Sequence, residues 1–278
     1  MRAVAALLTV PIILALGMWD LSVRASADAS RAQQLAGELN GDQARMASDS
    51  GSAARLQGQA ASSPIDQLRR DMEVAKSEFG FRDAVRSEQE IIYQLAADTN
   101  LERQVLHLLP GRRAAGIKDA AEAMRSIWRL SGIDDFSRVR VRRTKDFRAS
   151  EPVDSLRGYY VSAASRYGID WTYLAAINYI ESDFGRNDGP SSAGALGPMQ
   201  FLPSTWQVYG SGDILSSHDS VIAAARYLAI GGAPEDYHRA VLAYNHDENY
   251  AAAVAHFAGA LRSDPLWLPR LYYWSTYG

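Results

Sequence analysis

Cysteine is absent from the 278 residues, which excludes disulfides, thiolate metal sites, thiol nucleophiles and lipid attachment through an N-terminal Cys. The fold must hold through packing alone. Surplus charge is also scarce: 29 Lys and Arg stand against 32 Asp and Glu, a formal net charge of −3. A chain whose main partner is nucleic acid carries a basic excess, so that class is set aside. Aromatic residues are missing between Trp19 and Phe79. Residues 28–63, inside that interval, are mostly Ala, Ser, Gln, Asp and Gly, a composition that buries too little to fold alone. They read as a flexible spacer, with transient helix near Arg31.

Long apolar runs are equally rare, and the one present sits at the N terminus. Arg2 precedes an uncharged stretch over residues 3–19, after which the chain turns polar at Asp20 and reaches Ala25-Ser26-Ala27, a pattern an export peptidase cuts. Residues 1–27 are therefore read as a signal peptide or, because the stretch is only just long enough to span a bilayer, as a membrane anchor. Either reading places the rest of the chain outside the cytoplasm, secreted or attached to the membrane through residues 3–19.

A chain of this length holds one domain plus an appended region. Over residues 64–150 the pattern is helical: Ile65, Leu68 and Met72 share a face, as do Ile91, Ile92 and Leu95. This is an accessory region without a constellation that carries chemistry. Near its end Arg138, Arg140, Arg142, Arg143, Lys145 and Arg148 alternate with Val139 and Val141. That is either a solvated strand or loop, or a surface for anionic polymer or lipid headgroups.

Residues 151–278 are dense in helix signals. Asp154 and Asp170 suit helix starts, Gly168 and Gly185 suit helix ends, and Gly210 closes a segment opened by Pro203. Further helices are predicted from Asp219 to Ile230, from Pro234 to Asn245 and from Asn249 to Leu261, so the fold class is all-α. His218, His238, His246 and His256 fall at no metal-ligand spacing, and no phosphate-cradling loop occurs; neither a metal nor a cofactor is expected. Nothing in the sequence demands a partner subunit, and the expected state is a monomer.

Three features of this half point to chemistry. Leu174 and Ile177 precede Glu181 by seven and four residues, so the carboxylate continues their apolar stripe and should point inward. Burial of a carboxyl raises its pKa and keeps it protonated near neutrality, the property of a general acid. A Glu that swings out at the helix end, or pairs with a core Arg, is the plainer alternative. Next, residues 189–200 form a long turn of small residues that lets backbone approach a ligand. There Ser191 and Gln200 supply hydrogen-bonding groups, and Met199 and Phe201 supply apolar walls. Finally, Tyr237, Val241 and Tyr244 share a stripe, which aims the Tyr244 hydroxyl at a buried polar partner, with Glu181 available, while Asn245 caps the helix or reaches substrate.

Glu181-Ser182 followed by Phe184, then Ser191 with Gly194-Ala195, Gly197, Met199-Gln200 and Pro203, and finally Ala243-Tyr244-Asn245, resemble the three motifs of the soluble lytic transglycosylase (SLT) family. The wording around them is similar to an actinobacterial branch, and the resemblance covers residues 156–261. It implies a lysozyme-like α-helical fold that cleaves the β-1,4 bond between N-acetylmuramic acid and N-acetylglucosamine in peptidoglycan and leaves 1,6-anhydromuramic acid ends. By motif position Glu181 is the acid/base, Ser191, Met199 and Gln200 contact the glycan, and Tyr244 and Asn245 partner the carboxyl and an acetamido group. The chain departs from the family pattern in a longer gap from Glu181 to Ser191, in Pro198 where Leu is common, and in His246 where a small residue follows Asn. A hydrolytic muramidase on the same fold and a non-catalytic wall-binding module are the competing readings. Asp183, Asp188 and Asp213 lie near the motifs, but no pattern makes any of them a nucleophile.

Overall fold

The computed structural model describes residues 9–57, 64–136, 139 and 150–274. Among them the chain forms eleven helices, and its β structure is one isolated bridge between Leu196 and Phe201. The all-α expectation is met. Residues 1–8, the first part of the apolar N-terminal stretch, lie outside the described residues, as do Arg138, Arg140 and the remaining cations of the basic cluster. No helix among the described residues is long and apolar enough to cross a membrane.

The accessory half contains α1 (Thr9–Gln57), α2 (Pro64–Ala97), α3 (Thr99–His107) and α4 (Gly111–Leu130). The first of these corrects the spacer reading, since residues 28–57 are helical throughout. Ala32, Leu35, Ala36, Leu39 and Met46 are buried, and their spacing of three, four and seven forms one stripe on α1. Composition alone misses this because such a stripe cannot make a core by itself. It becomes stable when α2 packs along it, and Ala-rich sequence then costs little conformational entropy in the helix.

A polar knot ties this half to the C-terminal end. Arg270 and Glu88 are both fully buried, with Arg270 Nε 3.4 Å from Glu88 Oε1 and Arg270 Nη2 3.1 Å from Asp264 Oδ2. Arg113 pairs with Glu88 and donates to the Leu39 carbonyl at 3.0 Å. Gln43 accepts from Arg113 and Arg270 and donates to Asp264. Charges this deep need every partner they have.

The second half comprises α5 (Val153–Tyr167), α6 (Trp171–Ser182), α7 (Pro203–Tyr209), α8 (Ser217–Gly231), α9 (Tyr237–Tyr244), α10 (Glu248–Ser263) and α11 (Trp267–Tyr273). Helix α6 runs through the middle: every residue from Thr172 to Asn178 is buried, as in a helix covered on all sides. Asp170 caps it by accepting from Thr172 N, and Gly168 ends α5 in the left-handed conformation, as the sequence suggests. Other boundaries shift by one to three residues, and α6 ends at Ser182, ahead of Gly185. Helix α8 is capped by Ser216 ahead of Asp219, α9 by Asp236 beyond Pro234, and α10 by Asp247.

Helix α10 lies between α6 and α4. Its contact with α4 is close because Gly116 has no side chain: a Cβ there would overlap Ser263 Oγ and the Trp267 indole. The same seam carries a hydrogen bond between His256 Nδ1 and Asp119 Oδ1 at 3.1 Å.

Candidate active site

Glu181 occupies the last turn of α6, half-buried, with its carboxyl facing the start of α10. There Tyr250 donates its hydroxyl to Glu181 Oε1 at 2.5 Å. Burial pushes the Glu181 pKa up from 4.5 to about 7, against the opposing pull of that hydroxyl. The Tyr250 phenol is itself held well above its ordinary value, first by burial and then by the nearby carboxyl, so it remains a donor.

The partner of Glu181 is thus Tyr250 and not Tyr244. The Tyr244 hydroxyl donates to the Met199 carbonyl at 2.6 Å. Its ring is held edge-on between Phe201, 5.6 Å away, and Tyr227, 5.3 Å away, which directs the hydroxyl to the loop. Tyr250 escapes motif reading because it lies beyond the Ala-Tyr-Asn segment. A signal for it exists all the same: Tyr250 opens the buried stripe of α10 that continues with Val254, Phe257 and Leu261, and a buried phenol needs an acceptor. Asp247 sets its place by accepting from the backbone N–H groups of Asn249 and Tyr250.

The remaining expected residues divide by what they offer. The Ser191 side chain accepts from Ala195 N at 3.0 Å, which shapes the turn, and the residue is exposed. Gln200 sits in the left-handed region at φ 47° and gives its amide hydrogens to the Gly189 and Gly197 carbonyls. Met199 is fully buried, so its side chain belongs to the core and is no groove wall; what it brings to this region is its backbone. The same holds for Phe201, packed against Trp206 and Tyr244. Asn245 ends α9 and is half-buried. Gly197 allows the turn to close, with φ 74° and a missing Cβ where the Ile214 carbonyl lies.

Neighbouring acids are engaged elsewhere. Asp183 faces Arg186 at 3.4 Å, and burial pushes its pKa up to about 7 despite that cation. Asp213 is exposed and accepts from Leu215 N.

Residues 158–256 match the family described as the transglycosylase SLT domain. Among curated proteins, the membrane-bound lytic murein transglycosylase F of Thiobacillus denitrificans is 31% identical over 126 residues, covering 42% of this chain and 27% of that protein. The membrane-bound lytic murein transglycosylase F 1 of Alkalilimnicola ehrlichii is 35% identical over 92 residues, 31% of this chain and 18% of that one. The chain therefore spans less than a third of the length of these relatives. No solved structure matches at a significant level.

Proposed function

We propose that this chain, which carries a transglycosylase SLT domain over residues 158–256, is an extracytoplasmic peptidoglycan lytic transglycosylase with Glu181 as its single acid/base. The observation that carries the reading is the Glu181 carboxyl, held by burial at a pKa of about 7 and addressed by one hydroxyl. A carboxylic acid poised near the working pH both gives and takes a proton. With Tyr250 donating to Oε1, the acid proton belongs on Oε2.

The reaction follows from one carboxyl. Glu181 protonates the glycosidic oxygen as the bond to C1 of N-acetylmuramic acid breaks, and the 2-acetamido oxygen of the same sugar supports the electron-poor C1. The ionised Glu181 then removes the proton from the O6 hydroxyl of that sugar, O6 bonds to C1, and the acid form is restored with a 1,6-anhydro ring. Most glycosidases use two carboxyl groups. The acids nearest in sequence are held by other partners, Asp183 by Arg186 and Asp213 by Leu215 N, which favours assistance from the substrate. Ser191, Gln200 and Asn245 are assigned to the glycan, while Tyr244 acts on the loop from behind, through its bond to the buried Met199 carbonyl. Residues 3–19 and Ala25-Ser26-Ala27 support export or membrane attachment.

Mass analysis of peptidoglycan digested by the protein tests the reading directly. Anhydro ends, lighter by one water than reducing ends, are expected; reducing muramic acid would make the protein a hydrolase, and intact glycan would leave a binding module.

Tyr250→Phe probes how the carboxyl is tuned. Because the hydroxyl holds the Glu181 pKa down, its loss should move the alkaline limb of the pH–rate profile to higher pH. Turnover below that limb should fall roughly tenfold, since the carboxyl loses its orienting partner. An unmoved limb would remove Tyr250 from the machinery.

A further inference from the structure

Asn178 lies one helical turn before Glu181 on α6 and is fully buried. Its side chain is saturated by directional bonds. The Tyr160 hydroxyl, from α5, donates to Asn178 Oδ1 at 2.5 Å. That contact fixes the amide, so Nδ2 points the other way and donates to the Pro198 carbonyl at 2.8 Å and to Ser182 Oγ at 3.2 Å. Ser182 Oγ donates to the same Pro198 carbonyl at 2.6 Å and accepts from Gly185 N at 2.9 Å. One loop carbonyl thus takes two buried donors from α6. The next carbonyl, that of Met199, takes the Tyr244 hydroxyl from α9.

Two consecutive peptide units are therefore pinned by different helices, immediately before Gln200 with its left-handed φ of 47°. Proline at 198 suits this role, because its ring fixes φ, and that ring rests 3.7 Å from the position a Cβ would take at Gly185. The bonds made by Asn178 are buried from solvent, so its amide sets where the loop stands relative to the carboxyl three residues along its own helix.

We propose that Asn178, with Tyr160 behind it, is a positioning residue: it fixes the 189–201 loop against Glu181 through the Pro198 carbonyl, so that the glycan is presented to the acid in register. The proposal deepens the transglycosylase reading and rests on it for kinetics alone, because the position of the loop is measurable without catalysis.

The test combines steady-state kinetics on peptidoglycan with backbone amide exchange in the full chain. In Asn178→Ala, KM should rise about tenfold, in line with loss of binding contacts. The turnover number should change less than threefold, and the pH midpoint should not move, since Tyr250 and the burial of Glu181 remain. Amide exchange over residues 189–201 should accelerate at least about tenfold while α10 stays protected. Unchanged loop exchange overturns the proposal, as does a shifted midpoint with KM intact, which would mean that Asn178 acts on the acid itself. If Asn178→Ala does not fold, Tyr160→Phe keeps the ring and removes only the hydroxyl; faster loop exchange there supports the proposal and unchanged exchange overturns it. A wild-type protein that leaves glycan intact, together with loop exchange that rises in the variant, would sink the enzymatic reading and leave the loop clamp standing.

Discussion

Glu181→Gln should lower glycan cleavage by roughly 10²- to 10⁴-fold, the usual range for removing a positioned general acid and base, while glycan binding changes little. The amide still accepts from Tyr250 but has no acidic proton to give and no charge with which to take one. Turnover measured on purified peptidoglycan, beside a pull-down with the same material, separates the two effects. Cleavage within tenfold of wild type would dismiss Glu181 as the reacting group.

The same substitution should stabilise the fold, and the pH dependence gives the sign. The Glu181 pKa rises from 4.5 to about 7 on folding, so the folded state binds the proton more tightly than the unfolded chain does. Below pH 4.5 the carboxyl is protonated in both states and costs nothing. As pH climbs through the window from 4.5 to 7, the unfolded chain ionises first and the folded state loses ground, by up to about 3 kcal/mol at roughly 1.4 kcal/mol per unit. Urea denaturation of Glu181→Gln should therefore match wild type at pH 4 and exceed it at pH 8. A gain that appears at acid pH instead would show that the carboxyl is not strained by burial.

The second large effect concerns the knot between the two halves. Arg270→Ala removes a fully buried cation and leaves Glu88, also fully buried, with Arg113 as its remaining charged partner. Breaking a buried pair from one side costs about 3–5 kcal/mol, because the stranded charge is neither solvated nor matched. The unfolding midpoint in urea should fall accordingly. Neutralising the whole set, Arg270→Met with Glu88→Gln and Arg113→Met, should return much of that loss, since buried charges are worth little against well-packed neutral groups and no cation is then left stranded. A triple variant as unstable as the single one would locate the energy in packing around Trp267, over which the Arg270 guanidinium lies at 5.0 Å.

The legibility of the sequence varied with how local each signal is. Helix caps and stops act within one turn, so Asp170, Gly168 and Pro203 mark their helices from sequence alone. The inward aim of Glu181 is also legible, because Leu174 and Ile177 share its stripe. The long helix α1 was hidden, since its buried stripe acquires meaning only beside α2. Tyr250 and Asn178 were hidden for a related reason: each bonds to a group far along the chain, 69 and 20 residues away respectively. Met199 shows the opposite error, in which a hydrophobic residue within a conspicuous motif is read as a surface although the core has claimed it.

Helix α10 presents Tyr250 to the Glu181 carboxyl on one side and is sealed on its other side by α4 along the Gly116 seam. A shortened chain beginning near residue 151 would keep every motif and yet lay bare the oily back of the helix that delivers the tyrosine. The smallest self-sufficient fold is accordingly larger than its signature sequences, and the N-terminal bundle is scaffold for Glu181 as much as any residue beside it.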